Sequence, residues 1–327
     1  MLRALTLDQL RVLTTIADTG SFSAAGRQLR RVQSAISQSV RALEAAQGVA
    51  LFDRSSKTPF LTEAGRVLVE QARQVQRQAA LFEAMASEMA AGLEPELTLA
   101  LDCFMPTAPV IESLQALRQR YPNLPVTLFT EGIGAAPRRL RERSAALALC
   151  GMFPPPPELQ AHRLLVIPLV PVAARSHPLA NAGRAVTRHE LQEHVQLILT
   201  NPADSSGPSH GVISPRIWRF VDMGSRLDFL LAGAGWATIP AHLAKPYLAS
   251  RRLVELAISD PGFEPGIIPI YAAHERSRPL RPAAQWLLQD LQARLATDGS
   301  HVSALVVGAK QQNIRLRNRK DVSSSIS

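Results

Sequence analysis

Cysteine is nearly absent: the 327 residues contain two, Cys103 and Cys150. So few exclude a disulfide framework and point to a reducing compartment. No apolar run approaches the roughly 20 residues that span a bilayer. Asp8 and Arg11 within the first helical pattern argue against a leader peptide. The expected location is the cytoplasm, with no membrane partner. Catalytic signatures are missing as well, with no GxSxG elbow, CxxC pair or GxGxxG loop. The nearest metal-like stretch runs from His189 through Glu190 and Glu193 to His194. Its histidines are five apart and diverge by about 140° on a helix, whereas the zinc motif needs them four apart on one face. No paired carboxylates stand at matching strand ends. The expectation is a protein that is not an enzyme and holds neither metal nor cofactor.

What is present is apolar and basic. Hydrophobic residues make up 46% of the chain, enough for packed cores, and the formal net charge is +9 with a pI near 10.5. A basic balance suits a polyanion such as DNA, although charge alone does not separate nucleic acid from a membrane surface. Leu7, Leu10, Leu13 and Ala17 form the inner stripe of a first helix ending near Gly20. Leu29 closes a short second pattern, Arg30, Arg31 and Val32 make a turn, and a helix follows over Gln33–Gln47, stopped by Gly48. Ile36, Val40 and Leu43 share one stripe of it and should face inward. Ser34, Ser37, Gln38 and Arg41 lie opposite, a short polar face able to meet base edges and phosphates. Next come Val49, Leu51 and Phe52, a basic turn with Arg54 and Lys57, then Pro59, Phe60 and Leu61, which together read as a β-hairpin.

Thr62 is a good N-cap for another helix, with Glu63 in its first turn. From there to about Ala91 proline is absent. Leu68, Ala72, Val75, Ala79, Phe82, Ala86 and Met89 recur at alternating spacings of four and three, a coiled-coil seam. A second copy of the chain is its expected partner. Gly92–Glu96 then marks a boundary. Beyond it, strands over Leu97–Leu101, Val126–Phe129, Ala145–Cys150, Leu169–Ala173, Val195–Leu199, Trp236–Ile239, Leu253–Ala257 and Ile267–Ala273 alternate with helices. The helices fall near Thr107–Tyr121, Pro137–Arg143, Ser225–Ala234, after Pro240, and over Pro282–Leu295. This alternation implies a parallel sheet with helices on both faces.

Ligands of open α/β sheets bind beyond the carboxyl ends of strands, at helix N-termini. That rule selects Asp102, Cys103 and Phe104, then Thr130 and Glu131, then Thr200 and Asn201, and Asp222–Ser225. Cys103, Phe104, Thr130, Thr200, Asn201 and Asp222 are the candidate ligand contacts. Their mixture of hydroxyls, an amide, a ring and a carboxylate suits a small polar or aromatic compound. Asp222 disfavours an anion unless Arg219, Arg226 or His210 turns inward, so the ligand's charge stays open.

The N-terminal stretch resembles the LysR-type transcriptional regulators. The resemblance rests on Leu10–Ile16, Gly20-Ser21-Phe22, Ala24-Ala25, Leu29, Gln33-Ser34-Ala35-Ile36-Ser37, Leu43-Glu44, Leu51-Phe52-Asp53-Arg54 and Leu61-Thr62-Glu63-Ala64-Gly65. One departure is Val32, where relatives often carry a capping Ser or Thr. The later part resembles the family's effector-binding region, shaped like a periplasmic binding protein. That likeness is carried by Tyr121-Pro122, His177-Pro178-Leu179, Ala232–Trp236, Ile239-Pro240 and Pro282-Ala283-Ala284.

The resemblance implies an α/β architecture with a winged helix-turn-helix over residues 1–65, a linker and dimerisation helix over 62–92, and an effector domain over 95–297. Its lobes would be 96–164 with 268–295, and 165–267, leaving 298–327 as a basic tail. It further implies double-stranded DNA and a small-molecule effector as partners, and a homodimer or homotetramer. Ser23, Gln33, Ser34, Ser37, Gln38, Arg41, Arg54 and Lys57 would contact the DNA. The alternatives are a small-molecule receptor without functional DNA recognition and a regulator that senses oxidants through Cys103 and Cys150.

Overall fold

The protein is described by a computed structural model covering residues 5–53, 60–201, 211–260 and 262–296. It divides into two units, Met1–Ala91 and Gly92–Ser327. The expected tail over 298–327 lies outside the described residues, as do Arg54, Lys57 and His210.

The first unit opens with α1 (Leu7–Thr19), whose N-terminus is closed by a capping box between Thr6 and Gln9. Ser21 caps α2 (Phe22–Gln28), and α3 (Gln33–Gln47) ends at Gly48 in the left-handed conformation. A short antiparallel pair follows, β1 (Phe52–Asp53) with β2 (Phe60–Leu61), then the long helix α4 (Glu63–Ala90). One core joins them. Val12, Leu13 and Ile16 of α1 meet Ile36, Val40 and Leu43 of α3, together with Leu51, Val69 and Ala72. Leu7 does not belong to this stripe: it is 49% exposed, because the buried side of α1 runs through Leu10, Val12, Leu13 and Ile16 instead.

Glu44 fastens the hairpin to α3, accepting hydrogen bonds at Oε1 from the Leu51 and Phe52 amides at 2.9 and 3.2 Å. Thr62 does the same for α4. Its Oγ1 accepts from the Gly65 amide at 2.8 Å and donates to the Ala50 carbonyl at 2.8 Å.

In the second unit, β3 (Leu97–Asp102) is flanked by β4 (Val126–Glu131) and β5 (Leu147–Gly151), both parallel to it. Helices α5 (Thr107–Arg120) and α6 (Ala135–Arg141) connect them. Period-two alternation sorts their side chains by face. Leu97, Leu99, Leu101, Leu147 and Leu149 pack into a core with Val110 and Leu117. Ala100, Ala148 and Cys150 join Ala136 and Leu140 in another.

The chain then enters β6 (Leu159–Ala174), which is the hinge of the architecture. Its first half pairs antiparallel with β11 (Ile267–Glu275) and its second half with β9 (Trp236–Pro240) and β10 (Leu253–Glu255). Crossing from one neighbour to the other occurs where Ile167 and Pro168 oppose Ile268 and Ile267. The remaining elements are α7 (Arg188–Glu193), β7 (Gln196–Leu199), β8 (Ile217–Phe220), α8 (Met223–Leu231), α9 (Ala241–Ala249) and α10 (282–296). Strand order is β4-β3-β5-β11-β6-β9-β7-β8, with β10 on β6. Two α/β lobes thus share strands β6 and β11.

The expectation of a parallel sheet needs correction. Pairings within each lobe's outer strands are parallel, but β5–β11, β11–β6, β6–β9 and β6–β10 are antiparallel. The crossing strands run against their neighbours because they connect the lobes instead of returning through a helical crossover. Strand β8 was not expected, and β6 joins into one strand the crossing that the family resemblance implied near Arg163–Ile167 and the strand expected over Leu169–Ala173. Pro168 and Pro171 disguise β6, and β8 carries exposed Trp218 and Arg219 in place of an apolar run.

His177 makes the second lobe sensitive to acid. The ring is buried, Nδ1 accepts the Leu179 amide at 3.2 Å, and the His194 ring packs on it at 4.8 Å between centroids. Burial, and secondarily the charge of His194, lowers its pKa from 6.5 to about 4. The unfolded chain protonates His177 below 6.5 while the folded chain does not. Stability therefore falls as pH drops from 6.5 to about 4. In urea titrations across that range, His177→Asn, which keeps an acceptor for Leu179, is expected to flatten the decline.

Candidate functional site

Helix α3 presents its polar face to solvent. Gln33, Ser34, Gln38 and Arg41 are exposed and Ser37 is half-buried, while Ile36, Val40 and Leu43 are fully inside. The helix starts without a side-chain cap, since Val32 offers none. What holds it is the preceding turn. Gly26 lets the Arg31 carbonyl approach so closely that a Cβ there would stand 2.7 Å from it. Arg31 is anchored to Asp8 by two hydrogen bonds, at 2.7 and 2.9 Å. Ser23 is exposed and accepts a 3.1 Å hydrogen bond from Arg27, an exposed cation beside the turn that sequence reasoning passed over.

The seam expected along α4 divides in two. Ala72 is buried and Leu68 half-buried in the core of their own unit, so neither is left for a second chain. The reason is α1, which packs on this part of α4, with Gln76 donating to Thr14 at 3.1 Å. Beyond it, Val75, Phe82 and Met89 are exposed at seven-residue spacing, accompanied by exposed Ala86 and half-buried Ala79.

In the second unit most of the selected strand ends converge where the lobes meet. Cys103 and Phe104 follow β3, with Asp102 beneath them: its carboxylate accepts from the Phe104 amide at 2.7 Å and the Gly151 amide at 3.3 Å. Two glycines bring the lobes together. A Cβ at Gly134 would lie 2.5 Å from Asn201 Nδ2, and one at Gly132 would lie 3.0 Å from the Val221 carbonyl. Thr200, next to Asn201, is 6% exposed.

From the second lobe, Arg226 on α8 stands close enough to Cys103 for each to influence the other's ionisation. It is a buried residue of the seam, and only its charge had marked it in the sequence. Thr130 stands apart, on the exposed face of the edge strand β4 with Val126 and Leu128. Asp222 is exposed and caps α8, accepting the Ser225 amide at 2.6 Å, and that bond keeps its pKa below the ordinary value.

Neither thiol is poised to ionise. Burial first, then the Asp102 carboxylate, pushes Cys103 far above the usual range, and burial lifts Cys150 to about 12. The low-pKa thiol that the alternative of oxidant sensing through Cys103 would need is thus absent, because desolvation outweighs the helix. His189 and His194 also separate: His189 sits exposed on α7, whereas His194 packs on His177. Among the described residues no helix is long and apolar enough to cross a membrane.

Known proteins share both halves of this arrangement. The family profile described as the bacterial regulatory helix-turn-helix protein, lysR family, matches residues 7–66, and that of the LysR substrate binding domain matches residues 90–296. The probable HTH-type transcriptional regulator YhaJ of Escherichia coli K12 is 30% identical over 258 residues, 77% of this chain and 85% of that one. The HTH-type transcriptional regulator AceR of Acinetobacter baumannii is 28% identical over 241 residues, 73% and 80% of the two chains. A solved structure of a Corynebacterium glutamicum OxyR mutant shares the fold at a TM-score of 0.57 and 22% identity, covering 94% of this chain and 98% of that one. A helix-turn-helix with an exposed polar helix face and a two-lobed domain after it, each matched in order along one chain, make this protein a member of the LysR family of DNA-binding, effector-responsive transcriptional regulators.

Proposed function

We propose that this regulator reads its operator with the exposed face of α3, works as a homo-oligomer in the cytoplasm without enzymatic activity, and responds to a small molecule held between the two lobes. The observation that carries this reading is the inter-lobe seam: Cys103, Gly132 and Gly134 of one lobe meet Arg226, Val221 and Asn201 of the other. A ligand bound across it couples lobe closure to the presentation of the helix-turn-helix, because it stabilises only the arrangement it touches. Gln33, Ser34, Ser37, Gln38 and Arg41 serve base edges and nearby phosphates, with Ser23 beside them. Arg54 and Lys57 of the hairpin turn are assigned to the backbone.

Assembly has two supports. Val75, Phe82 and Met89 offer an apolar row for a second α4. Both edges of the large sheet also carry exposed apolar side chains, Val126 and Leu128 on β4, and Trp218, Val221 and Phe229 by β8. Exposed edges of this kind favour pairing with another chain. Joining one copy's β4 edge to the other's β8 edge covers both patches twice about a two-fold axis.

Gel shifts with promoter DNA across a salt series test the DNA reading. Binding should weaken steeply with salt. Gln33→Ala should cost roughly 1–3 kcal/mol, concentrated at one base position of the site. Binding that is insensitive to both salt and Gln33→Ala would leave a receptor without DNA recognition.

A further inference from the structure

The charge of the effector follows from Arg226. It is 5% exposed, yet one of its guanidinium nitrogens, Nη1, has no acceptor among the described residues. Nε and Nη2 donate to the Leu197 carbonyl at 3.1 and 2.8 Å, and Nη2 also reaches the Thr238 carbonyl at 3.0 Å. Among the described residues, none accepts from Nη1 and no carboxylate pairs with the group. Burial lowers its pKa to about 10, which still leaves it cationic at neutral pH.

The acids at these strand ends are engaged elsewhere, Asp102 with the Phe104 and Gly151 amides, Asp222 with the Ser225 amide and Glu131 with Arg139. A buried cation without a counter-ion is costly, and the cost is relieved when an anion reaches it. Cys103, from the opposite lobe, stays a neutral thiol and adds no competing charge. Thr200, also nine-tenths buried, has a hydroxyl without a partner among the described residues.

We propose that the effector is a small monocarboxylate, whose carboxylate accepts from the free Nη1 of the Arg226 guanidinium and from the Thr200 hydroxyl. The one free guanidinium nitrogen, Nη1, with a single positive charge behind it, suits a singly charged carboxylate, whereas a phosphate dianion calls for a second cation. The ligand's charge is held by one lobe while its body lies against Cys103 and Phe104 of the other, so binding favours closure. The proposal rests on the reading that the effector sits between the lobes.

Its test is a thermal-shift and calorimetric screen of the full-length protein at fixed ionic strength. The probes are small monocarboxylic acids such as isobutyrate, lactate and phenylacetate, each beside its primary amide, with inorganic phosphate as a further anion. Acids should stabilise the protein and their amides should not. Arg226→Gln should weaken the bound acids roughly 10–100-fold, with Arg226→Lys between it and the native protein. The acid–amide comparison on native protein stands even if a variant does not fold. Amides that bind as well as acids, phosphate that binds better, no acid that binds at all, or an Arg226→Gln protein with native affinity would each overturn the proposal. Acids that bind without altering the gel shift would support the ligand class and count against effector control. Uncharged compounds that bind and alter the gel shift would do the reverse.

Discussion

Phe82→Asp is expected to leave a folded monomer that no longer holds operator DNA tightly. Phe82 is 74% exposed within its own chain, so the substitution disturbs no core of the monomer. In the contact proposed between two α4 helices it is the largest side chain of the row Val75, Phe82 and Met89. Replacing it removes apolar burial of about 2 kcal/mol and leaves an unpaired carboxylate between chains, at about 3 kcal/mol or more. Together these exceed a thousandfold in the dissociation constant of the dimer. A dimeric regulator reads two half-sites with two α3 helices, and a monomer keeps only one of them. Sedimentation should show a single-chain species at concentrations where the native protein is assembled, with circular dichroism unchanged. If the variant sediments as the native protein does, the exposed row of α4 is not the contact between chains.

Gly65→Ala should disorganise the first unit while sparing the second. Gly65 sits in the first turn of α4, where the helix backbone presses on the base of the hairpin. A Cβ there would lie 2.1 Å from the Leu51 carbonyl oxygen and 3.0 Å from its carbon. The obstacle is backbone, and that backbone is held in place: Leu51's carbonyl accepts the Thr62 amide at 3.0 Å, and its own amide is bound by Glu44. Relief requires moving α4 off the hairpin, which also breaks the Thr62 cap. The expected cost is about 3 kcal/mol or more, a large share of a small domain's stability. Hydrogen exchange should show lost protection in α1 to α4 and native protection from β3 to α10, with loss of DNA binding. Retained protection in the first unit would mean that the hairpin yields at little cost.

Local periodicity was legible because it depends on neighbours in sequence. The spacing of Ile36, Val40 and Leu43 placed α3 and its polar face, and Gly48 and Thr62 marked helix ends through chemistry that acts over a few residues. The motif residues of the first unit turn out to be largely its fasteners. Glu44 and Gly65 had been noted only as part of the family pattern, and the structure supplies their reason in the tie and the close approach at Leu51. The heptad row of α4 shows where this reasoning stops. Leu68 and Ala72 continue the same pattern as Phe82 and Met89, but a helix stripe carries no label for its partner. Packing against α1 claimed the first pair and left the second exposed.

The sequence alone determined the type and order of most elements and the chemistry offered at strand ends, since both arise from residues close together in the chain. Tertiary structure alone decided which way each strand ran and which strand ends met. Strand β6 pairs with β11 about a hundred residues later, and no local pattern encodes an antiparallel crossing between lobes. It also decided the sign of the ligand site. Asp222 and Arg226 are separated by four residues in sequence, and nothing in their spacing ranked one above the other. The fold turned Asp222 outward as a helix cap and buried Arg226 between the lobes. Exposure and burial set what a charge is worth, and they exist only once distant segments have packed.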